Sequence, residues 1–177
     1  MIIDAFIFNN EIDILKARLE YLENHVDYFV IVESNNTFTG KSKNLILKNL
    51  IKEKFVHLKK KILIYENRLK VLCKEDLFIN KKTIFEKDSP SLEIVLKMNR
   101  IIKYKKEIAL NETFQRELLN LAINKFIKKE DAIIIISDVD EIPNISFLNN
   151  LNKLRDHKIF YADMKQYIYS TKFRLME

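Results

Sequence analysis

The stretch Asp131–Pro143, DAIIIISDVDEIP, determines the predicted fold of this chain. Four consecutive isoleucines, Ile133 to Ile136, form a β-branched apolar run that is typical of a strand buried on both faces of a parallel sheet. Three carboxylates follow at once, at positions 138, 140 and 141. Like charges beside an apolar core repel one another, and each resists ionisation unless a cation compensates. The stretch therefore predicts either an acidic loop in solvent or a site that holds a positive group.

Strand-like and helix-like segments alternate along the rest of the chain. Strands are predicted in the segments IIDAFIFNN, DYFVIVES and KILIYE, which are rich in β-branched and aromatic residues. Between the first two, apolar residues recur at three- and four-residue steps and predict one face of a helix, formed by Ile12, Leu15, Leu19 and Leu22.

Three more helices are predicted, one from Ser89, one from Glu112 to Lys128 and one from Ser146 to Leu154. The segment KIFYADMKQYIYSTKF alternates like a further strand. Strands that alternate with helices predict an α/β fold, a mostly parallel sheet flanked by helices, as one domain over residues 1–177. In such a sheet ligands bind beyond the carboxyl ends of the strands, where the acidic motif lies.

The composition excludes several classes of protein. The chain has 177 residues and a net charge of +6, but its lysines are scattered rather than interleaved with aromatics, so nucleic-acid binding is disfavoured. No apolar run approaches the roughly 20 residues of a membrane helix. The first predicted strand begins at Ile2, which leaves no room for a signal peptide, so a cytoplasmic protein is predicted. The single cysteine, Cys73, excludes an internal disulfide framework.

Gly40 is the only glycine in the chain. P-loops and dinucleotide-binding fingerprints need several glycines, because backbone amides must approach the phosphates closely, so both are excluded. A phosphorylated ligand would therefore be held by a cation or by side chains.

The acidic motif suits a divalent cation. In an extended backbone Asp138 and Asp140 point to the same side, about 6.6 Å apart at their Cα atoms. Their oxygens are ligands that Mg²⁺ and Mn²⁺ prefer, and a diphosphate can complete the coordination shell. The other interpretation is an acidic turn in which Asp138 caps a following helix.

Two enzyme classes place Asp-x-Asp after an apolar strand. Haloacid-dehalogenase-type phosphatases carry it after the first strand, and nucleotide-sugar glycosyltransferases of the GT-A type carry it late in the sheet. The late position here favours the second class.

Four blocks of the sequence resemble glycosyltransferase family 17, in the family's order. They are DAFIFNNEIDILKARLEYL, VDYFVIVESNNTFTGKSK, FQR and IIIISDVDEIP, and the resemblance spans roughly Met1 to Tyr169. The family includes the β-1,4-mannosyl-glycoprotein β-1,4-N-acetylglucosaminyltransferases. The resemblance implies a GT-A-like domain with the acidic motif at the end of a central strand. It also implies a UDP-N-acetylglucosamine donor, Mn²⁺ or Mg²⁺ as cofactor, and inverting transfer to a glycan hydroxyl.

The resemblance implies two sets of site residues. Asp138, Asp140 and Glu141 match the metal motif. The residues that match nucleotide-sugar positions are Asn9, Asn10, Glu11, Glu33, Ser34, Asn35, Thr37, Gly40, Gln115, Arg116 and Asp138.

Several of these residues have ordinary structural alternatives. Asn10 can cap the helix that follows it, Glu33 and Ser34 can simply end a strand, and Thr37 can close a turn. Arg116 can pair with a surface acid, although an arginine near three carboxylates would more naturally hold Asp138 or a phosphate. No catalytic base is assigned, because Asp163 is merely the nearest later acid.

Members of this family usually continue well beyond the acidic motif, whereas this sequence ends soon after it. We therefore expect the acceptor-side region to be missing. The alternatives to an active transferase are a non-catalytic nucleotide-sugar-binding module and a half enzyme that needs a partner subunit. Exposed apolar surface near Tyr161, Tyr167 and Tyr169 would then invite self-association.

Overall fold

Four parallel strands, four α-helices and one short 3-10 helix, Val56–Leu58, are found in the part of the chain that the computed structural model describes, residues 1–70, 107–128 and 131–151. The strands are β1 (Ile2–Phe8), β2 (Tyr28–Ser34), β3 (Ile62–Asn67) and β4 (Ile133–Ile136). The helices are α1 (Ile12–Leu22), α2 (Leu47–Lys54), α3 (Glu107–Phe126) and α4 (Ile145–Asn150). The strand order is β3-β2-β1-β4, and each neighbouring pair is parallel.

The alternating pattern of the sequence is thereby confirmed as an α/β fold with a parallel sheet. The first three strands and α1 lie where the sequence predicts them. Helix α3 begins at Glu107, earlier than predicted, and α4 begins at Ile145, next to its predicted start, while the predicted end of α4 at Leu154 lies outside the described residues. The predicted helix from Ser89 lies outside the described residues except for its last four, residues 107–110, which belong to α3. The strand-like segment KIFYADMKQYIYSTKF lies outside the described residues.

Helix α3 covers one face of the sheet. Alternate residues of β1 and β2 pack in one buried cluster with the apolar side of this helix. The cluster includes Ile3, Ala5, Ile7, Val30, Val32, Phe114, Leu118 and Ala122. The intervening residues of β1 and β2, including Asp4, Phe6 and Glu33, therefore face the opposite side, where α1 and α2 lie.

The isoleucine strand β4 is less buried than the sequence predicts. It is an outer strand of the described sheet and pairs with β1. Ile134 and Ile136 are in register with Ile3 and Ala5, on the face that α3 covers, yet they are 38% and 57% exposed. The prediction of burial on both faces is wrong for these two residues, and among the described strands β1 and β2, not β4, are central. Helix α3 packs mainly across β1 and β2, so its cover does not reach the far side of β4.

The chain divides into two compact units, Met1–Asp140 and Glu141–Glu177. The first contains the sheet. In the second, α4 is capped by Asn144, whose side chain accepts a hydrogen bond from the Ser146 backbone amide at 2.8 Å. One domain over residues 1–177 stays a prediction. Among the described helices, none has the length and apolar character to cross a membrane.

Candidate functional site

Polar residues follow each strand at the same edge of the sheet. Because the strands are parallel, their carboxyl ends meet there. Strand β1 runs into Asn9 and Glu11, β2 into Asn35, and β4 into Asp138 and Asp140. This is the edge at which the sequence predicts a ligand site.

A cavity of about 300 Å³ opens at this edge, and we call it the acidic cavity. It is lined by Ile7, Asn9, Glu11, Ile14, Phe38, Asp138, Val139 and Asp140. Four residues predicted for the site thus line one cavity although the chain separates them by more than a hundred positions. The third predicted metal ligand, Glu141, begins the second unit and stays a prediction.

The turn after β1 is tightly shaped. Asn10 has a φ of 80°, a left-handed conformation that asparagine tolerates better than most residues. The Asn9 backbone amide donates to Glu11 Oε2 at 2.7 Å. Residue Glu11 is the N-cap of α1 and no side chain caps the helix, so the alternative that Asn10 caps it is wrong.

Asn9, one of the residues that line the acidic cavity, has a side-chain oxygen without a hydrogen-bond partner among the described residues. Its Oδ1 atom is buried and has no hydrogen-bond partner within residues 1–70, 107–128 and 131–151. A buried polar atom without a partner is unfavourable, and in native proteins it commonly marks a place for water, an ion or a ligand. The carbonyl oxygen of an asparagine is also a ligand for hard divalent cations.

Arg116 supplies the positive group that the acidic motif requires. Its Nη1 and Nη2 atoms donate to Asp138 Oδ1 and Oδ2 at 2.5 and 3.1 Å, and its Nε atom donates to Glu112 at 3.2 Å. The hydrogen bond to Asp138 is the main reason why the pKa of Arg116 is raised above its usual value. The structure therefore agrees with two of the interpretations of Arg116, since it holds Asp138 and also pairs with the surface acid Glu112. Contact with a phosphate stays a prediction.

A second arginine, Arg18, reaches the same motif from the core. Arg18 and Asp4 are fully buried and form an ion pair at 2.7 Å. Arg18 also donates to Ser137 Oγ at 2.7 Å and to the carbonyl oxygens of Asp138 and Val139 at 2.6 and 3.1 Å. Neither member of the pair is among the residues predicted for the site. The available signal was a charged residue on the apolar face of α1 and another inside an apolar strand.

Among the described residues, Glu33 binds the N-terminus of helix α2. Its carboxylate is buried and accepts hydrogen bonds from the backbone amides of Ile46 and Leu47, at 2.8 and 3.0 Å, at the start of α2. Both oxygens are thus engaged in holding the helix N-terminus.

Lys43, which is also not among the residues predicted for the site, contacts residues of β2 and of the turn after β1. Its Nζ atom is 3.7 Å from Glu33 Oε1 and 3.4 Å from Asn10 Oδ1, and its side chain is only 7% exposed. Burial lowers the pKa of Lys43 below 10.5, and the negative charges of Glu33 and Glu11 partly oppose that shift.

Buried amides anchor the loop after β2 to α3. Gln115 Nε2 and Asn111 Nδ2 donate to Asn36 Oδ1 at 2.9 and 3.1 Å, and Asn111 also donates to the Thr37 carbonyl at 2.7 Å. Gln115 is buried, so the structure gives it a role in positioning this loop.

Thr37, Gly40 and Ser34 also make local contacts. The Gly40 amide donates to the Thr37 carbonyl at 2.9 Å, and Gly40 has a φ of 80°, so these two residues close a turn as the structural alternative for Thr37 predicts. Ser34 Oγ accepts from Asn67 Nδ2 at 3.1 Å, which ties β2 to β3.

A polar cleft of about 560 Å³ opens at the ends of β2 and β3. It is lined by Asn35, Lys43, Asn44, Leu45, Ile46, Asn49 and Arg68. Arg68 is exposed, and its guanidinium makes no ion pair with any residue that the structure describes. The cleft contains the predicted site residue Asn35.

The oxygen-bearing side chains around the acidic cavity are of the kind that binds a divalent cation together with a phosphorylated ligand. Within the described ranges, no three histidine, cysteine, aspartate or glutamate side chains are close enough to enclose a metal ion. Magnesium sites commonly use one or two carboxylates and complete their shell with phosphate oxygens and water. Asp138 and Asp140 supply two carboxylates of this kind among the residues that line the acidic cavity.

The described structure is thus that of an α/β protein with an acidic cavity at the carboxyl ends of its parallel strands. The family model of glycosyltransferase family 17 matches residues 1–71 and 66–177, and the chain belongs to that family. It is accordingly a glycosyltransferase, whose class uses a nucleotide-sugar donor and a glycan acceptor. No curated protein and no solved structure matches the chain.

Proposed function

We propose that this glycosyltransferase has a GT-A-like fold and transfers N-acetylglucosamine from UDP-N-acetylglucosamine to a glycan hydroxyl with inversion, using Mn²⁺ or Mg²⁺. The observation that carries the proposal is the acidic cavity, where Asp138 and Asp140 lie with Asn9 and Glu11 at the ends of β1 and β4. Family membership supports the transferase class and disfavours the phosphatase alternative.

Asp138 and Asp140 would hold the cation from one side, and the donor diphosphate would hold it from the other. When bound, the cation supplies positive charge that stabilises the departing diphosphate. Asn9 Oδ1, which is buried without a partner among the described residues, is a further oxygen for this shell.

Arg116 would bind the diphosphate once the cation takes Asp138. An arginine fork matches phosphate oxygens as well as it matches a carboxylate, so the exchange keeps the guanidinium paired. The Phe38 ring, whose centroid lies 6.0 Å from the Arg116 guanidinium carbon, borders the same cavity.

The nucleoside would occupy the polar cleft. Its asparagines offer both donors and acceptors for the edges of a pyrimidine and for ribose hydroxyls. Lys43 lines this cleft and contacts Asn10 in the turn after β1, so it connects the cleft with the residues of the acidic cavity.

In the transfer step, the acceptor oxygen forms a bond to the anomeric carbon while the bond from that carbon to the diphosphate oxygen breaks. The diphosphate leaves with the electron pair, and the acceptor proton passes to a base. A carboxylate near the acceptor oxygen is the usual base for inversion. No residue of this chain is assigned that role.

A thermal-shift panel tests the proposal. UDP and UDP-N-acetylglucosamine should raise the melting temperature much more with Mn²⁺ than with a chelator, and GDP and CMP should have smaller effects. An equal shift with and without metal would show that phosphate is held by side chains alone. Single-turnover release of UDP in the presence of a glycan acceptor then separates an enzyme from a module that only binds the donor.

A further inference from the structure

The guanidinium of Arg18 donates hydrogen bonds both to the carboxylate of Asp4 and to the segment Ser137–Val139. Its Nε and Nη2 atoms donate to the Asp4 carboxylate at 2.8 and 2.7 Å. It also donates to the segment Ser137–Val139, through one hydroxyl and two consecutive backbone carbonyls. The Phe6 ring lies beneath the guanidinium, with its centroid 4.4 Å from Cζ.

Filling the core does not by itself require a buried ion pair such as Arg18–Asp4. Removing two charges from water is costly, and a buried ion pair can often be replaced by apolar side chains of similar volume without loss of stability. Asp4 orients the guanidinium plane, and the remaining donors meet the chain where β4 ends. The hydrogen bonds from the guanidinium to the segment after β4 therefore explain the presence of the pair better than any gain in stability does.

The segment that Arg18 holds is the one that carries the acidic motif. Hydrogen bonds to the carbonyls of Asp138 and Val139 keep these oxygens turned toward the core, and Val139 is buried. Asp138 and Asp140 are both among the residues that line the acidic cavity. Without an anchor, repulsion between these carboxylates would favour a more open turn.

We propose that Arg18, oriented by Asp4, is a positioning residue that holds the turn Ser137–Asp140 in the conformation that binds the cation and the donor diphosphate. The inference rests on the proposed function for its ligand. Its structural part, the ordering of the turn, can be tested without any ligand.

The principal test is the double substitution Asp4→Leu with Arg18→Met. This variant removes the pair without leaving a lone buried charge, so we expect it to fold with a melting temperature close to that of the parent. Amide hydrogen exchange at positions 138–140 should become about tenfold faster, whereas the amides of β1 and β2 should keep their protection. Affinity for UDP in the presence of Mn²⁺ should fall by about tenfold or more, as happens when partners behind metal ligands are removed.

Two further variants complete the experiment. Arg18→Lys keeps a charge opposite Asp4 but cannot span the carboxylate and two carbonyls, so it should show the same increase in exchange. Lys16→Met removes an exposed cation of the same helix, paired with Glu20 at 3.9 Å, and should change neither readout.

Unchanged exchange at positions 138–140 in a folded double variant would overturn the proposal. If the double variant does not fold, the same two measurements, hydrogen exchange and UDP affinity, are made on Arg18→Lys. If neither variant folds, Arg18 is required for folding itself and the proposal is overturned. If the parent does not bind UDP with Mn²⁺, the proposed function fails, and the exchange measurement still tests the positioning role.

Discussion

Arg116 holds Asp138 with both nitrogens of its fork, from Nη1 to Oδ1 at 2.5 Å and from Nη2 to Oδ2 at 3.1 Å. The oxygens that a cation would need are therefore engaged by an arginine on α3. The two side chains are 43% and 45% exposed, so water competes for each of them. An exposed pair of this kind exchanges partners at little cost.

Arg116→Gln should change metal and nucleotide binding in opposite directions. Without nucleotide, Mn²⁺ affinity should rise severalfold, because Asp138 loses its competing cation. In the presence of Mn²⁺, UDP affinity should fall, because the phosphate loses the arginine fork. Manganese titrations followed by electron paramagnetic resonance, and calorimetry with UDP, measure the two effects. Glu112→Gln, which removes the other partner of Arg116, is the control, and a fall in both affinities for Arg116→Gln would refute the exchange.

Asp140→Asn should separate binding from folding. The substitution nearly preserves shape and removes one charge from a cluster of like charges, so the ligand-free protein should be as stable as the parent or slightly more stable. Affinity for UDP with Mn²⁺ should fall about tenfold, which corresponds to about 1.4 kcal/mol. Asp131→Asn makes the same chemical change before β4 and should leave the affinity unaltered. Loss of folding with intact affinity for Asp140→Asn would make this carboxylate structural.

Glu33→Gln should destabilise the protein without a specific effect on the ligand. The substitution replaces an acceptor of two backbone amides by an amide that can accept only one of them, and it leaves Lys43 without its anionic partner. The free energy of unfolding should fall by about 2 kcal/mol, measured by urea denaturation. Glu20→Gln, on the exposed side of α1, serves as the comparison. A loss of UDP affinity in protein that is still fully folded would instead support direct contact between Glu33 and the donor.

Lys43 should make stability depend on pH at the alkaline end. Its pKa in the folded protein is lowered from 10.5, chiefly by burial. Above pH 10.5 the lysine is neutral in both the folded and the unfolded protein. When the pH falls below the lowered pKa, the folded protein must bear a buried positive charge. The free energy of unfolding of the parent, relative to Lys43→Met, should therefore rise as the pH increases from the lowered pKa to 10.5. Urea unfolding at a series of alkaline pH values measures this difference, and a flat difference would show that Lys43 titrates as it does in the unfolded chain.

The local patterns of the sequence are sufficient for the elements that frame the site. Period-two and apolar segments predict β1, β2 and β3, and the three- and four-residue spacing predicts α1. Alternation of these elements implies parallel strands, and parallel strands bring their carboxyl ends to one edge. That is why the position of Asp138 and Asp140 at the ligand edge could be predicted from sequence alone.

The environment of β4 could not be predicted in the same way. Four isoleucines suit any apolar surroundings, so their composition does not say which strands or helices will cover them. The strand order β3-β2-β1-β4 and the path of α3 decide that Ile134 and Ile136 stay exposed in the described structure.

The sequence by itself determined the class of fold, the acidic motif at a strand end and the resemblance to a glycosyltransferase family, since each depends on residues close together in the chain. Only the tertiary structure decided which cations meet the motif. Arg18 approaches it from α1 and Arg116 from α3, and the two arginines bind different groups of the same residue, the Asp138 carbonyl and the Asp138 carboxylate. These contacts join positions far apart in the chain. They exist because the two helices pack on opposite faces of the sheet and each directs an arginine side chain to the residue Asp138, just after β4.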